Sequence, residues 1–312
     1  MPATALRLVA TDRAPAPSVA AKVSSFLRGF SVEALRPDAI DIAALKSALP
    51  AGSQVYLTAV SGRPLSDLMA AATRVRAQGF EPVPHLAARG FASHDELDDV
   101  VSRLMTWAGV RRVLAIGGDS ERAAGPFSGA IDLIESGILQ RHGVVEIGIA
   151  GYPDGHARYS QDTLMRTLAA KIEAAEMTGL RAGIVTQFSF DPCAILQWVR
   201  RVRDLGVDNP IRVGMAGPAD AGTLLRAAHR CGVPASALGL ARQGGLTKHL
   251  LGASAPDRIV RALAEADAGG ATGRIAAHFF SFGGVAATAR WAASAAAGRI
   301  VLDRGDGFGV EP

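Results

Sequence analysis

The fold is decided by residues 144–191, VVEIGIAGYPDGHARYSQDTLMRTLAAKIEAAEMTGLRAGIVTQFSFD. An apolar run over 144–150 ends in the turn-forming segment GYPDGH, a long helical stretch follows, and a second apolar run ends in TQFSFD. This order predicts a strand, a helix and a second strand, which together make one βαβ unit. Because parallel sheets carry ligand groups at the carboxyl ends of their strands, we expect Tyr152, His156 and Gln187 at one mouth.

The same pattern of a strand followed by a helix recurs along the chain. Eight apolar runs, each ending in small or polar residues, are the predicted strands: Gly29–Leu35, Gln54–Ala59, Pro82–Leu86, Arg112–Ile116, Val144–Ala150, Ala182–Phe188, Pro210–Met215 and Arg274–Phe280. Because these runs are almost continuously apolar and alternate with helices, they predict an α/β fold, a (β/α)8 TIM barrel in a single domain. A doubly wound open sheet is the alternative, which is weakened because no GxGxxG follows the first strand.

The predicted barrel covers residues 21–312. Residues 1–20, rich in Ala and Pro, are expected to form a flexible lead-in, and residues 232–271 to add helical material before the last strand. A local signal marks one helix start, because Ser93 and Glu96 have the spacing of a capping box.

Composition limits the class of protein. The 312 residues are 49% hydrophobic and 20% charged, which is ample for a core and disfavours disorder. The net charge of +4 comes without a basic block, so it favours small anionic molecules over nucleic acid, although a merely Arg-rich surface explains it equally well. Cys193 and Cys231 have neither CxxC nor Cys/His spacing, which disfavours a metal site.

Targeting signals are absent from the sequence pattern. Residues 1–20 contain no uninterrupted apolar segment, and no stretch has the length of a membrane span. We therefore expect a soluble, cytoplasmic protein without a membrane partner, and a homo-oligomer is left open.

Glu33, in FSVEALRP, is the first candidate for chemistry. If this carboxylate points inward among its apolar neighbours, desolvation raises its pKa. A raised pKa suits a general acid that works near neutral pH. The alternative is an ordinary glutamate paired with Arg36 on the rim, and the pattern alone does not choose between them.

Other polar residues stand at the ends of later strands. His85 ends the third strand, where a lone histidine is more often structural than catalytic. Gly117 and Gly118 permit close backbone approach ahead of Asp119, although a simple GGDS turn is the more frequent explanation. Gln187 ends the sixth strand and offers a neutral donor and acceptor, which suits the edge of a heterocycle.

Taken together, these segments resemble the methylenetetrahydrofolate reductase family, whose barrels bind FAD and folate. The resemblance runs from about residue 31 to about residue 214. The segments that carry it, in the family's order and at similar intervals, are SVEALRP at 31–37, PHL at 84–86, GGDS at 117–120, AGYPDGH at 150–156 and TQFSFD at 186–191.

The resemblance implies an enzyme that reduces 5,10-methylenetetrahydrofolate to 5-methyltetrahydrofolate, with FAD passing the hydride from NADH or NADPH, or that runs in reverse in a demethylation pathway. It implies that Glu33 is the general acid, that Asp119 lies by the flavin and the pterin, and that Gln187 contacts the pterin ring. The FAD-binding residues that it implies are His85, Gly118, Asp119, Ala150, Tyr152, His156 and Lys171.

Two segments depart from the family pattern. In 157–171 the family's residues for the FAD diphosphate align only with a shift, and Asp162, Arg166 and Lys171 are the candidate replacements, with Lys171 preferred. In HFFSFGG, at 278–284, glycines stand where the family has an Asn-Arg pair. Two alternatives therefore stay open, a flavin-independent reductase and a non-catalytic subunit that binds folate or flavin.

Overall fold

The computed structural model describes residues 17–59, 62–233 and 254–311. Eight parallel strands close into a barrel in chain order, with the first strand hydrogen-bonded to both the second and the eighth. The strands are β1 Ser31–Ala34, β2 Gln54–Leu57, β3 Glu81–Ala87, β4 Arg112–Ile116, β5 Glu146–Gly151, β6 Arg181–Thr186, β7 Ile211–Ala216 and β8 Ile275–Phe280. The predicted TIM barrel is confirmed, and the open-sheet alternative is wrong.

Helices surround the barrel and connect its strands. They are α1 Val19–Phe26, α2 Ala39–Ala48, α3 Leu65–Ala77, α4 His94–Ala108, α5 Ala130–Glu135, α6 Ile138–Arg141, α7 Gln161–Met177, α8 Pro192–Asp204, α9 Ala221–Arg230, α10 Asp257–Ala268 and α11 Val285–Ala296. The predicted start of α4 is confirmed, because the Ser93 hydroxyl accepts the Glu96 N–H at 3.1 Å. The sequence did not predict a short antiparallel pair after α11, formed by β9 Ile300–Leu302 and β10 Phe308–Val310.

The predicted lead-in and the predicted extra helical segment are only partly described. Residues 1–16 and 234–253 lie outside the described residues, while α10 falls within the segment expected to be helical. Within the described ranges, no helix is both long enough and apolar enough to cross a membrane.

The barrel interior contains a small apolar layer that we call the plug. It consists of Tyr56, Val83, Leu114 and Val185, each at most 5% exposed. Side chains alternate between the two faces of a strand, so the residue two places further along points into the same interior. His85, two residues beyond Val83, therefore lies on the side of the plug that faces the carboxyl ends of the strands, which we call the mouth.

Candidate active site

Glu33 lies inside the barrel at the mouth and contacts three polar side chains. Its Oε1 accepts a hydrogen bond from the Thr58 hydroxyl at 2.9 Å. Its Oε2 is 3.6 Å from Nε2 of His85 and 3.6 Å from Nε2 of His278. The Glu33 side chain is only 13% exposed, and within the described residues it forms no ion pair with Arg36. The rim alternative for Glu33 is therefore wrong.

The pKa of Glu33 differs in direction from the sequence-based expectation. Burial raises it, as predicted, but the charge of His85, the polar contact and charge of His278, and the Thr58 hydrogen bond together outweigh burial. The net pKa is lowered, because the expectation considered only the apolar chain neighbours and not the imidazoles across the barrel.

The two histidines beside Glu33 favour their neutral forms. His85 is 5% exposed and His278 is fully buried, and burial lowers the pKa of both imidazoles more than Glu33 raises it. The mouth therefore holds a carboxylate and two neutral rings that compete for protons. A proton taken up by any of the three changes the ionisation of the other two.

A chain of donors fixes the orientation of His278. Arg212 can only donate, and its Nη1 is 3.2 Å from the Ser31 hydroxyl oxygen. The hydroxyl hydrogen is then free to point at Nδ1 of His278, which is 2.9 Å away. This arrangement leaves the hydrogen of neutral His278 on Nε2, where it faces Glu33.

Sequence reasoning missed Thr58 and His278. Both lie inside predicted strands, and His278 is the polar residue between inward-facing Ala276 and Phe280 in an otherwise apolar run. Alternation along this strand could have drawn attention to His278. Its partner Glu33 is identified only when the barrel closes and β8 pairs with β1.

The GGDS loop follows β4 at the same mouth. Gly118 has φ of +88°, and a Cβ at this position would lie 3.1 Å from the Ala87 Cβ. Arg89 holds the loop, because its guanidinium donates to the Gly118 and Ser128 carbonyl oxygens. Asp119 is exposed at the end of this loop.

The charges of Glu33 and Asp119 both act on the Cys231 thiol. Burial, followed by the charges of these two carboxylates, raises the pKa of the Cys231 thiol to about 11. Asp119 also raises the pKa of Tyr152, after burial and the effect of Tyr159. The charge of Asp119 thus reaches both Cys231 and Tyr152.

The segment after β5 forms a cluster of rings. Tyr152 meets His156 edge to face, with ring centroids 5.4 Å apart, and His156 is followed by Tyr159 at 5.1 Å. Burial, then Arg158 and Arg89, lowers the pKa of His156. A neutral His156 is suited to polar contact with a ligand. Ala150, at the end of β5, is partly exposed at this mouth.

Gln187 directly follows β6 and is partly exposed. Its side-chain oxygen accepts the Phe188 N–H at 3.0 Å, and its amide nitrogen forms no hydrogen bond within the described residues. Beside it, Phe280 and Phe282 stack with ring centroids 5.7 Å apart. A flat heterocycle could therefore meet both an amide edge and aromatic surface here.

Lys171 is farther from this group than the other predicted site residues. It lies ten residues beyond Gln161, the first residue of α7, which at about 1.5 Å per residue is roughly 15 Å along the helix. Burial lowers its pKa, and no described carboxylate lies within ion-pair distance. Only an extended ligand could contact both Lys171 and the mouth.

Comparison with known proteins identifies the family of this chain. The sequence model of the family described as methylenetetrahydrofolate reductase matches residues 39–237, well over half of the chain. An uncharacterized protein from Clostridium thermocellum that binds two copies of 5-methyl-5,6,7,8-tetrahydrofolic acid has a similar fold, with a TM-score of 0.53. The two proteins are 11% identical over 86% of this chain and 92% of that one.

A D-hydantoinase is similar over 58% of this chain and 42% of its own, with 9% identity and a TM-score of 0.35. That likeness is too low to carry an argument. The match of the sequence model over most of the barrel, on a closed (β/α)8 fold, shows that the chain belongs to the methylenetetrahydrofolate reductase family.

Proposed function

We propose that this protein is a flavin-dependent methylenetetrahydrofolate reductase. It would pass a hydride from NADH or NADPH through FAD to 5,10-methylenetetrahydrofolate and so give 5-methyltetrahydrofolate. The observation that carries the proposal is a buried carboxylate, Glu33, held by Thr58 and flanked by two imidazoles at the mouth of a barrel of this family. The folate bound by the structurally similar protein supports a folate as the substrate class.

The residues at the mouth fit a flavin. Gly118 lets the backbone approach closely, Ala150 and Tyr152 offer surface at the end of β5, and neutral His156 offers a polar contact. Lys171 supplies a cation without a carboxylate partner for the diphosphate. When bound, FAD supplies the hydride chemistry, and the protein supplies orientation, a proton and exclusion of water.

Glu33 is the residue that would supply the proton. Opening the methylene bridge of the folate develops negative charge on a nitrogen, which must be protonated. Ring systems stacked over the mouth would remove water from Glu33 and so raise its pKa, against the lowering effect of His85, His278 and Thr58. His85 acts here through Glu33 because its ring is almost fully buried.

Asp119 and Gln187 would position the folate. Asp119 is an exposed carboxylate at the mouth, available to accept hydrogen bonds from a pterin and to add negative charge beside the flavin. The free amide nitrogen of Gln187 would donate to the ring edge. Because a catalyst lowers the barrier in both directions, the same residues would serve the demethylation direction.

The visible spectrum of the purified protein, before and after anaerobic addition of NADH or NADPH, tests this proposal. We expect a flavin spectrum that bleaches with one of these reductants and returns when methylenetetrahydrofolate is added. A flavin spectrum that neither reductant changes would contradict the proposal.

The position of Lys171 favours one alternative, a reductase that transfers hydride directly from the nicotinamide to the folate. Within residues 157–171, the cation without a carboxylate partner that lies nearest to the mouth is Arg166, which is exposed and five residues into α7. The mouth itself therefore offers no such cation from this segment for the diphosphate of FAD. A colourless protein that oxidises NADH or NADPH with folate and no added flavin would select this alternative. A protein that binds folate but turns over neither reductant, even with FAD added, would be a binding subunit.

A further inference from the structure

The barrel interior is hollow at its N-terminal end, on the side of the plug opposite to the mouth. A cavity of about 760 Å³ runs from this end of the barrel to Tyr56 and Val83. TIM barrels normally fill this space with bulky branched side chains. Here the inward positions of three strands are Gly148, Gly183 and Ala276, and the space is of the size that holds small ligands.

Packing does not require a glycine at every one of these positions. A Cβ on Gly148 would lie 2.9 Å from the Leu114 side chain, so this glycine is needed where it stands. A Cβ on Gly183 would meet nothing closer than the Pro210 carbonyl oxygen at 3.8 Å. The space beside Gly183 is therefore open and is not filled by neighbouring side chains.

The wall of this cavity has an excess of positive charge. Its charged lining residues are four arginines and two glutamates: Arg112, Arg181, Arg212, Arg274, Glu146 and Glu176. Glu146 is shared by Arg112 at 3.1 Å and Arg181 at 3.7 Å. Within the described residues, no carboxylate lies within 4.0 Å of Arg212 or Arg274.

Arg212 has donors to spare. Its Nη1 donates to the Gly29 carbonyl oxygen at 3.3 Å and to the Ser31 hydroxyl, and the guanidinium also contacts the Tyr56 hydroxyl, which leaves some of its five N–H groups unused. Arg274 uses Nη2 to reach the Asp208 carbonyl oxygen at 3.1 Å. Arg212 is half-buried and Arg274 is exposed at the opening, and a guanidinium with unused donors presents the planar fork that binds carboxylate and phosphate groups.

We propose that this cavity is a second ligand site, which binds a compact dianion through Arg212 and Arg274. The dianion is a phosphate group or a small dicarboxylate, two sources of the same charge and hydrogen-bonding pattern. Arg212 lies on β7, and Arg274 immediately precedes β8. Both line the cavity near the open space beside Gly183 on β6. Arg212 reaches Glu33 only indirectly, through Ser31 and His278, and the cavity lies on the other side of the plug, so the proposal does not depend on the reductase activity.

Calorimetric titration of the full chain with inorganic phosphate, and separately with malonate, tests the proposal. We expect one saturable site per chain for at least one of the two anions. Loss of a charge-assisted hydrogen bond predicts that Arg212→Gln weakens binding by roughly 10-fold or more. Gly183→Val should weaken it comparably by filling the cavity without removing a charge.

Two controls make the result specific. Arg290→Gln removes the same charge from an exposed position on α11 and should leave binding unchanged. Glu33→Gln should also leave it unchanged, which separates this site from the mouth. If the Arg212→Gln variant does not fold, titrations of the Gly183→Val and Arg274→Gln variants test the proposal instead.

Saturable binding of phosphate alone identifies a phosphate-bearing ligand, and binding of malonate alone a dicarboxylate. Saturable binding of neither anion overturns the proposal. Binding that survives both Arg212→Gln and Gly183→Val overturns it as well.

Discussion

The two ends of the barrel interior place charged groups in opposite surroundings. At the mouth, Glu33 is nearly buried, and its partners are a hydroxyl and two neutral imidazoles. At the N-terminal end, Glu146 is shared by two arginines in a space that opens outward. Between them stands the plug. Guanidiniums carry a fixed charge, whereas imidazoles exchange protons at ordinary pH, so the surroundings of Glu33 are suited to acid catalysis.

The largest expected effect comes from Glu33→Gln, which keeps shape and hydrogen bonding but removes the proton. Reduction of the flavin by a nicotinamide needs no acid from the protein, so the rate of this half-reaction should stay within a few-fold of the wild-type rate. Oxidation by methylenetetrahydrofolate should fall by roughly 10²–10⁴-fold, the usual contribution of general acid catalysis. Stopped-flow absorbance measures each half-reaction separately.

The matched control is Glu135→Gln, which makes the same change at the exposed end of α5 and should alter neither rate. Equal losses in both half-reactions would show that Glu33 is structural. Normal rates in both would mean that the proton comes from another group.

A smaller effect is expected in the pH dependence of the free energy of unfolding. This dependence tests whether His278 is neutral in the folded protein. Burial lowers the pKa of this imidazole in the folded protein, so the unfolded chain binds the proton first as pH falls through about 6.5. The free energy of unfolding should therefore decrease on acidification from pH 7 to pH 5. One such histidine contributes at most about 1.4 kcal/mol per pH unit.

His278→Gln should flatten this dependence, whereas His229→Gln, at an exposed position of α9, should not. Urea denaturation at several pH values gives the slopes. The lowered pKa of Glu33 acts at lower pH, because its stabilising contribution is present above the unfolded value near 4.5 and is lost as pH falls through the folded value. An unchanged slope in His278→Gln would show that this imidazole is already charged in the folded state.

The sequence predicted the barrel because each strand is a local apolar run and each helix follows it directly. It did not predict the direction of the Glu33 pKa, because Val32 and Ala34, its chain neighbours, point to the other face of β1. The groups that set this pKa come from β3, β8 and the residue after β2. Contacts between strands that are distant in sequence exist only once the barrel closes.

The sequence also did not predict the cavity at the N-terminal end of the barrel. Gly148, Gly183 and Ala276 lie in runs that read as ordinary buried strands, and a missing side chain leaves no local signal. The pair β9 and β10 was missed because three-residue strands are too short to show alternation.

The smallest expected effect compares one glycine at each end of the barrel. Gly118, at the mouth, has φ of +88°, and an added Cβ would crowd Ala87 at 3.1 Å. Gly118→Ala should therefore cost about 1–2 kcal/mol of unfolding free energy and weaken flavin retention. Gly183, at the N-terminal end, has open space and no left-handed φ, so Gly183→Ala should be neutral or should stabilise by up to about 1 kcal/mol, since alanine loses less backbone entropy in a strand.

Urea denaturation and the flavin absorbance that remains after gel filtration measure both variants. Equal destabilisation by the two would mean that the N-terminal end is packed as tightly as the mouth, and flavin loss in Gly183→Ala would mean that the plug does not separate the two ends.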